Sequence, residues 1–194
     1  MKNKYLILDA MGVIFKKEND FENLYLPYLG EKYSFDLNKA RELYYNKLTL
    51  GKITIKKFFK DLEIPFDLGF LKKLEIDTEF YDFAKKVKQK YNLIVLSNDC
   101  YELGKEIFKE FKFDGLIEYY ITSGELGIRK PTKEIFTKLL KILKAKPNNC
   151  VFVDNRIENL ESAKKVGIKI IYFERRKSKI NNFSKLYEEI KKVK

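Results

Sequence analysis

Five short apolar runs constrain this chain more than any other feature: KYLIL at Lys4–Leu8, NLIVL at Asn92–Leu96, LIEYYI at 116–121, NCVFV at Asn149–Val153 and KIIYF at Lys169–Phe173. Continuous runs of this length suit strands buried on both faces. Between them, Tyr81–Lys90, Glu102–Phe111, Thr132–Leu143 and Asn159–Val166 place apolar residues three and four apart and read as amphipathic helices. Pro131 precedes the third, a good place for a helix start, and Gly167 follows the fourth as a C-cap. Strands alternating with helices predict an α/β fold with a Rossmann-like parallel sheet and right-handed crossovers.

Residues 16–80 interrupt the alternation and carry no strand pattern. Phe21–Leu29, Asp36–Leu48 and Thr54–Leu62 read as helices separated by Gly30, Gly51 and Pro65, with Pro27 disfavouring the first. Ser34 or Asp36 would cap the second and Thr54 the third. The expected organisation is a core of residues 1–15 and 81–194 with a small all-helical cap, 16–80, inserted after strand 1. Ile180–Lys194 reads as a final basic amphipathic helix and Arg175–Lys179 (RRKSK) as an exposed basic loop.

Composition narrows the function classes. No stretch approaches the roughly 18–20 uncharged apolar residues of a membrane span, and no membrane partner is expected. Four apolar residues before Asp9 do not make a secretory signal, and Cys100 and Cys150 form neither a disulfide framework nor a zinc spacing, so a cytoplasmic location is expected. The net charge of +12 rests on 40 Lys plus Arg against 28 Asp plus Glu, and only five of the 40 are Arg. The lysines are dispersed rather than clustered, which argues against nucleic acid as a partner and leaves a field that attracts anionic substrates. There is no His, which excludes Ser-His-Asp and Cys-His catalysis, histidine-ligated zinc and HExxH proteases. Acid–base chemistry must come from Asp, Glu, Lys, Tyr or Cys.

Ligands of open parallel sheets bind beyond the carboxyl ends of the strands. Three strands deliver polar residues there: Asp9 (followed by Gly12), Ser97-Asn98 and Asp154-Asn155, and the segment GIRKP (127–131) adds Lys130. A carboxylate nucleophile, a hydroxyl, an amide, a lysine and further metal-side oxygens suit phosphoryl transfer through an aspartyl-phosphate.

On LILDAMGVIF (6–15), VLSN (95–98), GIRKP (127–131) and VFVDNRIENLESAKKVGI (151–168), in that order, the chain resembles the haloacid dehalogenase superfamily over nearly its full length. The helical insert resembles that family's type 1 cap, and Gly124–Ile168 is most similar to small sugar-phosphate phosphatases, including the phosphatase domain of soluble epoxide hydrolases. The resemblance implies Asp9 as nucleophile and Lys130 as the cation that neutralises it. It implies Ser97, Asn98 and Gly12 at the phosphoryl group. It further implies Mg²⁺ held by Asp9, the Met11 carbonyl, Asp154 and Asn155. A small anionic phosphorylated substrate and a monomer or homodimer are the implied partner and assembly.

Two positions depart from the family pattern. Met11 stands where a second Asp usually acts as general acid, a loss worth about 10²–10⁴ in rate. Asn155 stands where an Asp usually binds the metal, while Asn159 matches. Glu18 and Glu158 are the nearest candidates for a substitute acid. Two other readings follow from these departures: a catalytically degenerate protein that binds a phosphorylated ligand or partner, and a metal-independent 2-haloacid dehalogenase-like hydrolase with Arg41 as its carboxylate anchor. The cap aromatics Tyr25, Tyr28, Tyr44, Tyr45, Phe58 and Phe59 read mainly as core, and because caps of this kind select substrates, some of them are expected to line the cleft.

Overall fold

The computed structural model describes residues 3–176 and 178–193. Strands β1 (Tyr5–Leu8), β2 (Asn92–Ser97), β3 (Tyr119–Thr122), β4 (Cys150–Asp154) and β5 (Lys169–Tyr172) pair in parallel in the order β3-β2-β1-β4-β5. Leu8 lies opposite both Val95 and Val153, so the strands end in register at one edge. Alternate residues feed two buried clusters: Leu6, Leu8, Val95 and Val153 enter one, while Ile7, Ile94, Leu96 and Phe152 enter the other. Burial on both faces is why these strands read as unbroken apolar runs.

Between β1 and β2, the chain forms a π-helical turn (Phe21–Tyr25), helices α1 (Leu26–Lys32), α2 (Leu37–Asn46) and α3 (Ile55–Asp61), short 3₁₀ segments at Leu48–Leu50 and Gly69–Lys73, and then α4 (Glu79–Val87). Helices α5 (Tyr101–Glu110), α6 (Ser123–Leu126), α7 (Lys133–Leu143), α8 (Ile157–Lys165) and α9 (Phe183–Lys192) complete the chain. The Asp36 carboxylate caps α2 by accepting from the Asn38 and Lys39 amides, and the Thr54 hydroxyl caps α3 by accepting from Lys57.

The helical insert is bound to the sheet at three levels. Its entering and leaving segments bond to each other, Lys16 N–H to Glu75 O at 2.8 Å and Asp77 N–H to Ile14 O at 3.0 Å. Its aromatic interior, with Phe21 stacked on Tyr44 at 3.7 Å and Tyr25 against Phe70 at 4.0 Å, is continuous with one apolar face of the sheet. The Ser123 hydroxyl at the start of α6 donates to Thr49 O across 2.6 Å. Beside it, Gly51 has φ +67° and passes so close to Gly124 O that a Cβ would fall 2.1 Å from it.

Several expectations need correction. The third strand begins at Tyr119 rather than 116, because Leu116 and Ile117 turn back to hydrogen-bond Phe113 and only Glu118 reaches Leu93 of β2. Gly30 lies inside α1 instead of separating helices; it is exposed, where a helical Gly costs only about 1 kcal/mol. Pro27 falls in the first turn of α1, where no amide is required. Arg175 is not part of an exposed loop: it pairs with Asp77 and packs over Phe173 and Phe183. Lys177 of that run, Lys194 of the tail, Met1 and Lys2 lie outside the described residues.

Candidate active site

The register brings the strand-end residues together. Asp9 continues β1 by donating its amide to Val153 O at 2.9 Å, which places it beside Asp154 at the sheet edge. Lys130 arrives from the loop after α6, where Gly127 turns the chain with φ +69°. Asn98 fixes that loop from both ends of its amide: Oδ1 accepts from Lys130 N–H at 2.8 Å, and Nδ2 donates to Lys130 O at 2.9 Å.

All three donors of the Lys130 ammonium are used. They reach Asp9 Oδ1 at 2.6 Å, Leu96 O at 2.8 Å and Asp154 Oδ2 at 3.0 Å. Burial opposes the Lys130 charge, yet the Asp154 and Asp9 carboxylates raise its pKa above the usual lysine range. Burial pushes Asp9 well above the usual carboxylate range, the Asp154 charge adds to this, and Lys130 works against it. Asp154, fully enclosed, also accepts from the Arg156 amide and from Asn159 Nδ2. Arg156 occupies the N-cap position of α8 and makes no side-chain capping bond there. Asn155 rests against Gly12, whose φ of +84° and lack of a side chain admit it, since a Cβ there would lie 2.3 Å from Asn155 Nδ2.

A cavity of about 90 Å³ opens on this edge, walled on the sheet side by Asp9, Met11, Ser97, Asn98, Lys130 and Asn159. Arg129 and Arg156 add two further cations, and Asn19, Asp20, Tyr44 and Tyr45 close it from the insert. Arg129 joins the two sides, donating from Nη1 to Tyr45 O at 3.2 Å with its guanidinium 5.1 Å from the Tyr45 ring centroid. Asp154, Asn155 and Gly12 stand outside the cavity wall, the first bound to it through Lys130.

Other candidates are elsewhere. Arg41 pairs with Glu22 at 2.9 Å on the outside of the insert, and neither Glu18 nor Glu158 contributes to the cavity. Of the cap aromatics, Tyr25, Tyr28, Tyr44, Phe58 and Phe59 are buried in the core, and Tyr44 and the partly buried Tyr45 also line the cavity. Asp20 is the acid that sequence reasoning passed over. It sits at the N-terminal position of the π-helical turn, a capping residue type that makes no capping bond there. Burial raises its pKa, opposed by the Tyr25 phenol and Phe21 amide that face it and by the Arg156 charge.

The arrangement is a buried carboxylate held by an ammonium at the floor of a small cation-rimmed cavity. It can hold a small anion beside a nucleophilic oxygen. As to a divalent cation, the oxygens at the edge are hard donors, and the buried Asn155 Oδ1 has no hydrogen-bond partner among the described residues. Hard oxygen donors of this kind suit a divalent cation such as Mg²⁺.

The family model for haloacid dehalogenase-like hydrolases matches residues 7–167. Among curated proteins, the chain is 29% identical over 121 residues to a drimenol cyclase of Aspergillus calidoustus (60% of this chain, 23% of that protein). It is 38% identical over 81 residues to bifunctional epoxide hydrolase 2 of Mus musculus (42% and 13%). It is 33% identical over 63 residues to glyceraldehyde 3-phosphate phosphatase of Pyrococcus furiosus (32% and 26%). The matched segments thus span about a quarter or less of these relatives. Among solved structures, a haloacid dehalogenase family enzyme of Bacteroides thetaiotaomicron, in complex with magnesium and inorganic phosphate, superposes with TM-score 0.71 at 21% identity, covering 91% of this chain and 96% of that one. A 2-haloacid dehalogenase of Pseudomonas syringae superposes with TM-score 0.69 at 15% identity, covering 98% and 99%.

Proposed function

The chain belongs to the haloacid dehalogenase-like hydrolase family, and from that premise we propose that it hydrolyses small phosphomonoesters through a covalent phosphoryl intermediate on Asp9. One observation carries the reading: Lys130 spends its charge on Asp9 and Asp154 at the floor of a cavity rimmed by Arg129 and Arg156. Two arginines facing one small space suit an incoming dianion better than a neutral group.

An Asp9 carboxylate oxygen bonds to phosphorus as the ester oxygen leaves; water then attacks phosphorus, releasing inorganic phosphate and restoring Asp9. Lys130 orients Asp9 and offsets charge that builds on it and on the phosphoryl oxygens. Ser97, at the cavity wall, hydrogen-bonds those oxygens. Asn98 acts by fixing the Lys130 backbone. Asp9, Asp154, Asn155 Oδ1 and the Met11 carbonyl would hold Mg²⁺, which supplies charge neutralisation at the transferring phosphoryl group. Residues 16–80 serve as the cap, with Tyr44 and Tyr45 presented to substrate.

Support for the relatives' chemistry is uneven. The Pyrococcus furiosus relative is a phosphatase and the Pseudomonas syringae neighbour a dehalogenase. The phosphatase reading is supported by Arg41, the expected anchor for a 2-haloacid carboxylate, which pairs with Glu22 on the outside of the insert. The test is an acid quench of enzyme mixed with acetyl phosphate and Mg²⁺, followed by peptide mass spectrometry. A phosphoryl adduct on the peptide containing Asp9 is expected, and its absence during active turnover contradicts the mechanism.

A further inference from the structure

The phosphomonoesterase reading leaves a proton unaccounted for. A departing alkoxide must be protonated as its bond to phosphorus breaks, and the attacking water must later lose a proton. The chain has no His, and Met11 offers nothing. Among the described residues, the carboxyl groups in the cavity wall are Asp9 and Asp20, and Asp9 is the nucleophile. The phenols of Tyr44 and Tyr45 also face the cavity, but burial raises both above the usual tyrosine range, and the Tyr45 hydroxyl is engaged with Glu22 at 3.2 Å.

We propose that Asp20 is the general acid and base of the reaction, giving its proton to the leaving oxygen as the Asp9–phosphorus bond forms and taking one back from the water that cleaves that bond. The inference rests on the phosphatase reading. Its geometric basis is an acidic residue only 8% exposed that shares one cavity with the nucleophile. Among the described residues Asp20 makes no side-chain capping bond for the turn it begins. Its neighbour Phe21 is stacked on Tyr44 at 3.7 Å, which fixes the turn that carries it.

The surroundings favour the protonated form needed for the first step. Burial raises the pKa of Asp20, and the groups that face it are Tyr25, Arg156 and Asp99. Asp99 is itself pushed well above the carboxylate range by burial and by Asp20, with Glu102 adding to this. Burial, and then the charges of both acids, raise the pKa of the Tyr44 and Tyr120 phenols, whose hydroxyls have no hydrogen-bond partner among the described residues.

The experiment compares glycerol 3-phosphate, whose alkoxide leaves poorly, with p-nitrophenyl phosphate, whose phenolate leaves readily, in the parent, Asp20→Asn and Asp9→Asn proteins with Mg²⁺. In Asp20→Asn, kcat/KM for glycerol 3-phosphate is expected to fall about 10²–10⁴-fold, and at least tenfold more than for p-nitrophenyl phosphate. Equal losses, or none, in a variant that melts like the parent overturn the role of Asp20. A second measurement needs no variant. In the parent, the ratio of kcat/KM for glycerol 3-phosphate to that for p-nitrophenyl phosphate should fall as pH rises past the pKa of Asp20, whereas a flat ratio overturns the proposal. Turnover that requires Asp9 but shows a flat ratio removes Asp20 alone. No turnover of either compound by the parent removes the phosphatase reading with it.

Discussion

Lys130 and Asp9, separated by 121 positions in the chain, meet across 2.6 Å, and the same ammonium reaches Asp154 at 3.0 Å. One buried cation thus holds two carboxylates at the edge of the sheet. Replacing it leaves both buried acids without their cation, a loss that typically costs about 3–5 kcal/mol. Lys130→Met should lower unfolding stability by that order in urea at pH 7, with phosphate release falling below detection. A loss under about 1 kcal/mol would show that the two acids do not depend on it.

The junction of insert and sheet makes a second, purely steric prediction. Gly51 needs its positive φ, and a methyl there meets the Gly124 backbone oxygen, whereas nothing lies within 4 Å of a Cβ at Gly30. Gly51→Ala should destabilise by about 1–3 kcal/mol. Gly30→Ala, in an exposed turn of α1, should stabilise by about 0.4–1 kcal/mol. Thermal melts of the two variants should move in opposite directions.

The strand-edge half of the site was legible in the sequence and the insert half was not. Asp9, Ser97 and Asp154 follow apolar runs that pair in parallel, so the sheet itself delivers them to one edge. Lys130 follows from the short loop after Gly127. Asp20, Tyr44 and Tyr45 reach the cavity only because helices of the insert pack over that edge. In the sequence, Asp20 is one more acid in KKENDFEN, and only the aromatic Phe21 beside it hinted that this turn faces inward. Asn98 lines the cavity, and its amide also holds the Lys130 backbone, a relationship between a strand end and a distant loop that spacing does not show.

Asp99 gives the pH dependence of stability. Its Oδ1 accepts from the Cys100 amide at 2.8 Å, and its Oδ2 has no hydrogen-bond partner among the described residues. Burial raises its folded pKa, with the Asp20 charge adding to this, while the unfolded chain titrates near the ordinary value of about 3.9. Between those two values the folded state binds one more proton than the unfolded state, so stability falls as pH rises through that window. Asp99→Asn removes this linkage. Its advantage over the parent should grow above about pH 4, by up to about 1.4 kcal/mol per pH unit. Urea unfolding at a series of pH values checks this, and a constant difference would contradict it.

The central claim, that Asp9 is the nucleophile of a phosphomonoesterase, meets its most direct test in release of inorganic phosphate. Sugar phosphates, nucleotides, acyl phosphates and p-nitrophenyl phosphate would each be incubated with Mg²⁺ or with EDTA, using the parent and Asp9→Asn proteins. Release that needs both Mg²⁺ and Asp9 is the expected result. Release that survives Asp9→Asn, or silence across the whole panel, would contradict it.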